Sequence, residues 1–465
     1  MNADSIQGQG AVRHSERLVE FAIALSAANV PNRILKQARA CLGDSIACGL
    51  FGARQPWGEM MAANTLAESA EGACTLLGQA KTLHPAPAAL VNGTAIHGFE
   101  LDDLIVGAVV HPGAVVVPAA LAAAEYSDAS GLRLLLGVIA GYEAMARLSL
   151  ALGAEPSQRG FHVTAVVGPI GAAFAAGVAM GLTSDQLLAA IGLACSASSG
   201  IKSFAGGSGG GMVKRMHAGR SAEAGVRMCQ LAARGFTGPR AAVDGRFGLL
   251  EVFGGKTANA ERLTNELGNH WATEDIWVKI YPMCGGIHSA VQLLQQLRGD
   301  YPLKVEDIEQ VRIGVSQFAA KNNGEPAPVD TMGAQYSIPY CAAVALLADA
   351  KDPAMFSDRA IANPAFRDIA KRVTLYVDEQ AESVYPNRLG ARVELRLRSG
   401  EVRTSAVLDA HGTPADPCTD AERRERFRHL ASAAKSSAAV DNILDVVNQI
   451  DALPSVRSLS QVLRG

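Results

Sequence analysis

The stretch Thr164-Ala-Val-Val-Gly-Pro-Ile-Gly-Ala-Ala-Phe-Ala-Ala-Gly-Val-Ala-Met-Gly-Leu-Thr-Ser184 carries no charged side chain and is long enough to cross a bilayer. Its composition argues the other way. Gly and Ala dominate it, Pro169 lies inside it, and Leu and Ile are too few to give strong insertion energy. It reads as a core helix packed closely against neighbours, and those neighbours are legible on either side. Pro31 suits a first helical position, after which Ile34, Leu35, Ala38, Cys41, Leu42 and Ile46 recur at steps of three or four residues and make one apolar face. Ala86–Leu101, Ala114–Tyr126, Leu132–Leu152 and Ala218–Arg234 follow the same pattern, with Gly235 as a stop. Thr183 and Gln186 form a capping box ahead of Leu187–Cys195.

The 465 residues are 49% apolar and 19% charged, enough hydrophobic surface to offset the entropy of ordering the backbone, which excludes a disordered chain. Lys and Arg number 42 against 45 Asp and Glu, a net charge of −3. No global positive field exists to hold a phosphate backbone, so nucleic acid is not an expected partner. Eight cysteines are scattered without a Cys-x-x-Cys pair, the usage of free thiols in a reducing compartment. Met1–Arg17 is polar and lacks the apolar stretch of a signal peptide. The expectation is a cytoplasmic protein with no membrane partner.

After Trp271 the pattern changes. Val311–Val315, Val373–Val377 and the pair Arg392–Arg398 and Glu401–Leu408 read as strands. Val393, Leu395 and Leu397 alternate with Arg392, Glu394, Arg396 and Arg398, and Ser399-Gly400 supplies a turn. From Asp420 the chain returns to helix, where Ile443, Leu444, Val447, Ile450 and Leu453 form a stripe that docks on the helical body. The expected fold is mainly α: a large all-α helical domain from residues 1–270 and 410–465, with an inserted smaller α+β lid domain at 271–409.

Polar groups concentrate in apolar surroundings at His97-Gly-Phe-Glu-Leu-Asp-Asp103 and His111-Pro-Gly113. If the Ala86–Leu101 helix runs through, His97 and Glu100 stand one turn apart on it. Carboxylates there need partners, because desolvating a charge costs several kcal/mol or about that order. Exposed acids at a helix end are the plainer reading. His162, just before the uncharged helix, is weak evidence alone. The run Gly206-Gly-Ser-Gly-Gly-Gly211 lacks a following Gly-Lys-Ser/Thr and a preceding strand, so it is not a phosphate loop. It reads as a mobile loop delivering Lys214 and His217, three residues apart, to a cleft; an ordinary basic turn is the plainer alternative. Lys279-Ile-Tyr-Pro282 and Tyr336-Ser-Ile-Pro-Tyr340 lie near the domain junction, where clefts form. Metal-ligand spacings, a nucleophile elbow and a dinucleotide fingerprint are missing from the sequence, so no metal and no cofactor is expected.

Taken in order, these blocks, with Gly160-Phe-His-Val-Thr164 and Lys214-Arg-Met-His-Ala-Gly219, resemble the MmgE/PrpD family, which includes 2-methylcitrate dehydratase, cis-aconitate decarboxylase and iminodisuccinate epimerase. The resemblance implies a homodimer, a metal-free cleft between an all-α domain and an α+β lid, and a small polycarboxylate as substrate. It implies His111, His162, Asp102 or Asp103, and Tyr340 as catalytic groups and Lys214 and Lys279 as substrate-binding ones; His217, by its spacing to Lys214, and Glu100, by its place in the first block, are expected to bind substrate with them. Where relatives often carry Asp in His-x-x-Asp-x-Asp-Asp, this chain has Glu100, and the Thr that commonly follows is Leu104.

Three functions compete. The first is a metal- and cofactor-independent lyase, a dehydratase or decarboxylase, in which Lys214 and Lys279 hold carboxylates and His111 or His162 moves a proton. The second is an epimerase of an amino- or imino-dicarboxylate using the same residues. The third is a non-catalytic anion-binding member of the fold.

Overall fold

The computed structural model describes residues 13–205, 209–299 and 303–464. Residues 1–12 of the polar N-terminus and Gly206, Gly207 and Ser208 of the glycine run lie outside the described residues. The fold is mainly α with a small sheet region.

Val163–Met180 is the central helix. It packs against Gly113–Ser127, Gly131–Leu152, Ser184–Cys195 and Val213–Ala233. Both it and Gly131–Leu152 are long and apolar enough to span a membrane, yet 94% of each apolar window is buried inside the protein. Apolar content here serves the core, since every face of these helices meets another helix. The capping box at Thr183 forms with Gln186, and Gly181 ends the central helix in a left-handed conformation at φ 74°.

Small residues set how near the axes come. A Cβ on Gly219 would lie 2.3 Å from the Leu90 carbonyl oxygen, and one on Gly93 would lie 2.8 Å from the Gly219 Cα. Pro85–Ile96 and Val213–Ala233 therefore cross almost backbone to backbone, which brings the first turns of the second helix to the chain following the first.

The four-stranded sheet runs in the order Val373–Val377, Ile308–Val315, Ala391–Leu397, Val402–Val407; the first pair is parallel and the others antiparallel. Val393, Leu395 and Leu397 are buried as their alternation requires, and His288–Arg298 packs on the last two strands. Asp420–Ala431 and Ser437–Asn448 pack on Asn32–Gly52, with Ile443, Val447 and Ile450 buried.

Two elements depart from expectation. The helix expected to reach Leu101 stops at Ile96; His97–Phe99 is a 3-10 turn and Glu100 is left-handed at φ 57°, ψ 27°. His97 and Glu100 are thus not one α-helical turn apart. The carbonyls of Gly98, Phe99 and Leu101 accept from Arg215, Gln335 and Arg426 instead of from the helix itself. The helix expected from Ala218 begins at Val213, which places Lys214 and His217 on it. A short antiparallel pair, Leu104–Ile105 with Ile276–Trp277, ties the first polar block to the segment carrying Lys279.

Candidate active site

The chain after Ile96 turns into a group of buried imidazoles. His97 Nδ1 and His111 Nδ1 both approach one oxygen of Asp102, at 2.7 and 3.2 Å. His111 Nδ1 also lies 2.8 Å from the Asp103 carbonyl oxygen. That oxygen only accepts, so Nδ1 carries the proton and the neutral ring presents the lone pair of Nε2. The His97 ring packs edge-on to His111 at 5.0 Å and parallel to His162 at 5.8 Å. His162 Nδ1 in turn lies 3.0 Å from His217 Nδ1. Four imidazoles and one carboxylate form a continuous acid–base array. His97 Nε2 and Asp102 Oδ1 are buried without a partner, hydrogen-bonding capacity held in reserve.

The two neighbouring aspartates do different work. Asp102 contacts the imidazoles; burial opposes its charge, but His97 and His111 hold its carboxyl well below the usual range. Asp103 accepts from the Gly113 backbone N–H at 2.8 Å and the Tyr142 hydroxyl at 2.6 Å. The Gly113 bond fastens the start of the Gly113–Ser127 helix, and burial pushes Asp103 up to about 7 despite both bonds. Burial, with Lys279 and Lys214 nearby, brings His111 down to about 4. Burial likewise lowers His162, and brings His217 down to about 4 with help from His97 and Lys214. These rings are neutral near pH 7.

Beside the array, Glu100 bridges the ammonium groups of Lys214 and Lys279, the latter at 3.2 Å. All three side chains are 2% exposed or less. Burial alone would raise the Glu100 carboxyl; the two lysines outweigh it and hold it below its ordinary value. Burial and Lys279 weaken the Lys214 cation, whereas Glu100 and Asp102 keep Lys279 above its usual value despite burial. Lys214 is no ordinary basic turn residue. The helices starting at Gly113, Val163 and Val213 all begin here, after His111, after His162 and before Lys214, and their N-terminal ends add positive potential.

Of the residues expected from the sequence, the structure brings together Glu100, Asp102, His111, His162, Lys214, His217 and Lys279. Tyr340 makes its contacts elsewhere: its hydroxyl donates to the Met355 carbonyl at 2.6 Å and its ring packs on Phe356 and Phe366. Tyr336 is the tyrosine at the site, its ring 5.5 Å from Lys214 Nζ. No spacing rule separates two tyrosines four residues apart. His97 was legible as part of its block but not as a member of the site; its pairing with Asp102 across the 3-10 turn is what adds it. The glycine run also acquires a role, since Gly210 and Gly211 donate to the Asp330 carboxylate ahead of the lysine helix.

Donor atoms of His97, Asp102 and His111 lie within 4.8 Å of one another, a two-imidazole, one-carboxylate set. Both Nδ1 atoms converge on a single carboxylate oxygen, which hydrogen bonding accounts for, and two lysine cations face the same region. A cavity of about 280 Å³ lies off the array, lined by Ile105, Trp277, Arg388 and Asp409 among others, and holds none of the imidazoles or lysines. The polar centre itself is closed.

Buried and lined by paired charges and imidazoles, the site is that of an enzyme, and comparison with known proteins agrees. The MmgE/PrpD N-terminal domain matches residues 16–261 and the MmgE/PrpD C-terminal domain residues 281–452. The chain belongs to the MmgE/PrpD family. It is 29% identical to a cis-aconitate decarboxylase of Aspergillus terreus, over 97% of this chain and 95% of that one. It is 30% identical to a cis-aconitate decarboxylase-like protein of Aspergillus oryzae, over 96% of both, and 26% identical to the cis-aconitate decarboxylase of Homo sapiens, over 95% of this chain and 92% of that one. The non-catalytic alternative gives way to an enzyme of the MmgE/PrpD type.

Proposed function

We propose that this enzyme is a metal- and cofactor-independent lyase that removes CO2 or water from a small di- or tricarboxylic acid. The observation that carries the reading is the placement of two buried lysines beside neutral, hydrogen-bonded imidazoles. Both reactions develop negative charge on a carbon next to a carboxylate. In decarboxylation the carbon–carboxylate bond breaks, CO2 leaves, the electron pair stays on carbon and spreads into adjoining unsaturation, and an acid returns a proton to that carbon. In dehydration a base removes the proton beside a carboxylate, the electron pair forms a carbon–carbon double bond, and the neighbouring C–O bond breaks as an acid protonates the leaving hydroxide to water. Lys214 and Lys279 lower the cost of the growing charge, an effect magnified where water is excluded. His111, oriented by Asp102 and the Asp103 carbonyl, presents Nε2 as the proton-transfer atom, and such transfer contributes about 10²–10⁴-fold. The His162–His217 pair stores or returns the proton.

The same reading treats residues 271–409 as a lid over a discontinuous helical domain, 1–270 and 410–465, whose movement admits substrate to the closed centre. By the same family resemblance it includes a homodimer, and the scattered free thiols fit a reducing compartment such as the cytoplasm. The test is NMR of citrate-like, aconitate-like and amino-dicarboxylate compounds in deuterated water. Loss of CO2 or water with a new alkene supports the lyase. Deuterium uptake without elimination assigns an epimerase instead, and no change in any compound rejects both.

A further inference from the structure

His97 is the most deeply buried imidazole of the array, with none of its side chain exposed. It makes a single side-chain hydrogen bond. Its Nδ1 lies 2.7 Å from an Asp102 oxygen, while its Nε2 has no partner among the described residues. A buried ring nitrogen left unpartnered costs free energy, so a phenyl ring of the same shape would suit this place better if packing were all that the residue did. The bond to Asp102 is what a histidine adds. His111 competes for the same oxygen: its Nδ1 stands 3.2 Å from it and 2.8 Å from the Asp103 carbonyl, where its hydrogen bond goes. Fixed position explains that outcome. The turn carrying His97 is held because Gly98 O accepts from Arg215 Nε at 2.8 Å, and a Cβ on Gly98 would lie 2.5 Å from Trp57 Nε1. The ring itself is held between its neighbours, edge-on to His111 and parallel to His162.

We infer that His97 is a positioning residue for proton transfer: it engages the Asp102 oxygen that His111 would otherwise bind, and leaves His111 bonded to a neutral carbonyl. The inference rests on the reading of His111 as the proton-transfer group. An imidazole bonded to an ionised carboxylate is a stronger base than one bonded to a carbonyl, since the carboxylate stabilises the protonated ring. By keeping that bond to itself, His97 keeps His111 a weak base, whose protonated form gives up its proton readily to a carbanion-like carbon. Other groups act on His111 as well. Burial lowers it, Asp102 opposes burial, and Lys279 and Lys214 lower it again. Glu100 and Asp103 meet it from its own stretch of chain, His162 from the start of the central helix and His217 from the Val213–Ala233 helix. Asp44, paired with Arg426, acts on Asp103 from Asn32–Gly52. Substitution at position 97 removes none of these, so a change in His111 reports the freed Asp102 oxygen.

The test is long-range proton–nitrogen NMR of the full chain labelled at histidine nitrogen, which reads the tautomer and titration of each of the 10 imidazoles without a substrate. His111→Asn and His97→Asn identify the two rings by the signals they remove. In the wild type, His111 is expected as the Nδ1–H tautomer near neutral pH, with the His97 Nδ1 proton downfield of the His111 one, because a bond to an ionised carboxylate is shorter than one to a carbonyl. His97→Phe keeps the ring shape and removes the donor, and should move the His111 titration up by at least about one pH unit. His97→Asn places an amide N–H where Nδ1 stood, and should return His111 to within about half a unit of the wild type. An unmoved His111 in folded His97→Phe enzyme overturns the inference, and so does an Asn variant shifted as far as the Phe one. If His97→Phe does not fold, the wild-type spectrum decides alone, and a His111 proton downfield of the His97 proton overturns it. A His111→Asn enzyme that keeps the wild-type turnover counts against the proton-transfer reading itself, a separate failure on which the spectra do not depend.

Discussion

His162 Nδ1 and His217 Nδ1 face each other at 3.0 Å. One ring must donate and the other accept, so the pair holds one proton between them at this contact and cannot be doubly charged without breaking it. Burial lowers both rings. A depressed histidine binds protons more readily in the unfolded chain than in the native one, so native stability falls as pH drops from about 6.5 toward about 4. Asp103, raised to about 7, has the opposite sign: its contribution is greatest in acid and fades as pH rises toward 7. Replacing His217 with Asn should flatten the loss of melting temperature between pH 6.5 and 4. An equally steep loss in the variant would mean that this pair does not couple to folding.

His111→Asn is expected to lower kcat by about 10²–10⁴-fold with little change in KM, because it removes the proton-transfer atom and keeps a donor to the Asp103 carbonyl. Since the His111 ring titrates near 4, the acid limb of the wild-type kcat profile should fall below pH 6. A limb centred at 6.5 or above would point to another group.

Lys214→Met strips Glu100 of one of its two cations inside a buried site. Removal of one partner of a buried pair costs about 3–5 kcal/mol, so both turnover and melting temperature should drop. A variant that melts like the wild type and keeps its rate would remove Lys214 from the centre.

The two tyrosines separate cleanly. Tyr340→Phe loses the hydrogen bond to Met355 O and should cost about 1 kcal/mol of stability with kcat intact. Tyr336→Phe, beside Lys214, should reduce kcat about tenfold or more while leaving melting near wild type. The reverse pattern in steady-state kinetics and thermal unfolding would restore Tyr340 to the reaction.

Gly219→Ala forces a Cβ against the Leu90 carbonyl oxygen at 2.3 Å. Main chain cannot yield as a side chain does, so a loss of about 1–3 kcal/mol or more is expected in chemical denaturation. Because this crossing positions Lys214 and His217, activity should fall further than stability alone explains.

What the residues determined unaided was local. Alternation put Val393, Leu395 and Leu397 inward, the Thr183–Gln186 box set a helix start, and small apolar residues marked Val163–Met180 as interior, because periodicity and capping act within a few residues. The blocks around His97, His162, Lys214 and Lys279 were likewise visible as dense polar runs in apolar surroundings. Tertiary structure alone decided that Asp102 serves the imidazoles while Asp103 fastens a helix, that Tyr336 and not Tyr340 faces the lysines, and that Glu100 sits between two ammonium groups. Those choices depend on Arg215, Gln335 and Arg426 gripping one short turn from distant points along the chain. Carbonyls that would have extended a helix found stronger partners elsewhere, and no local pattern encodes that competition.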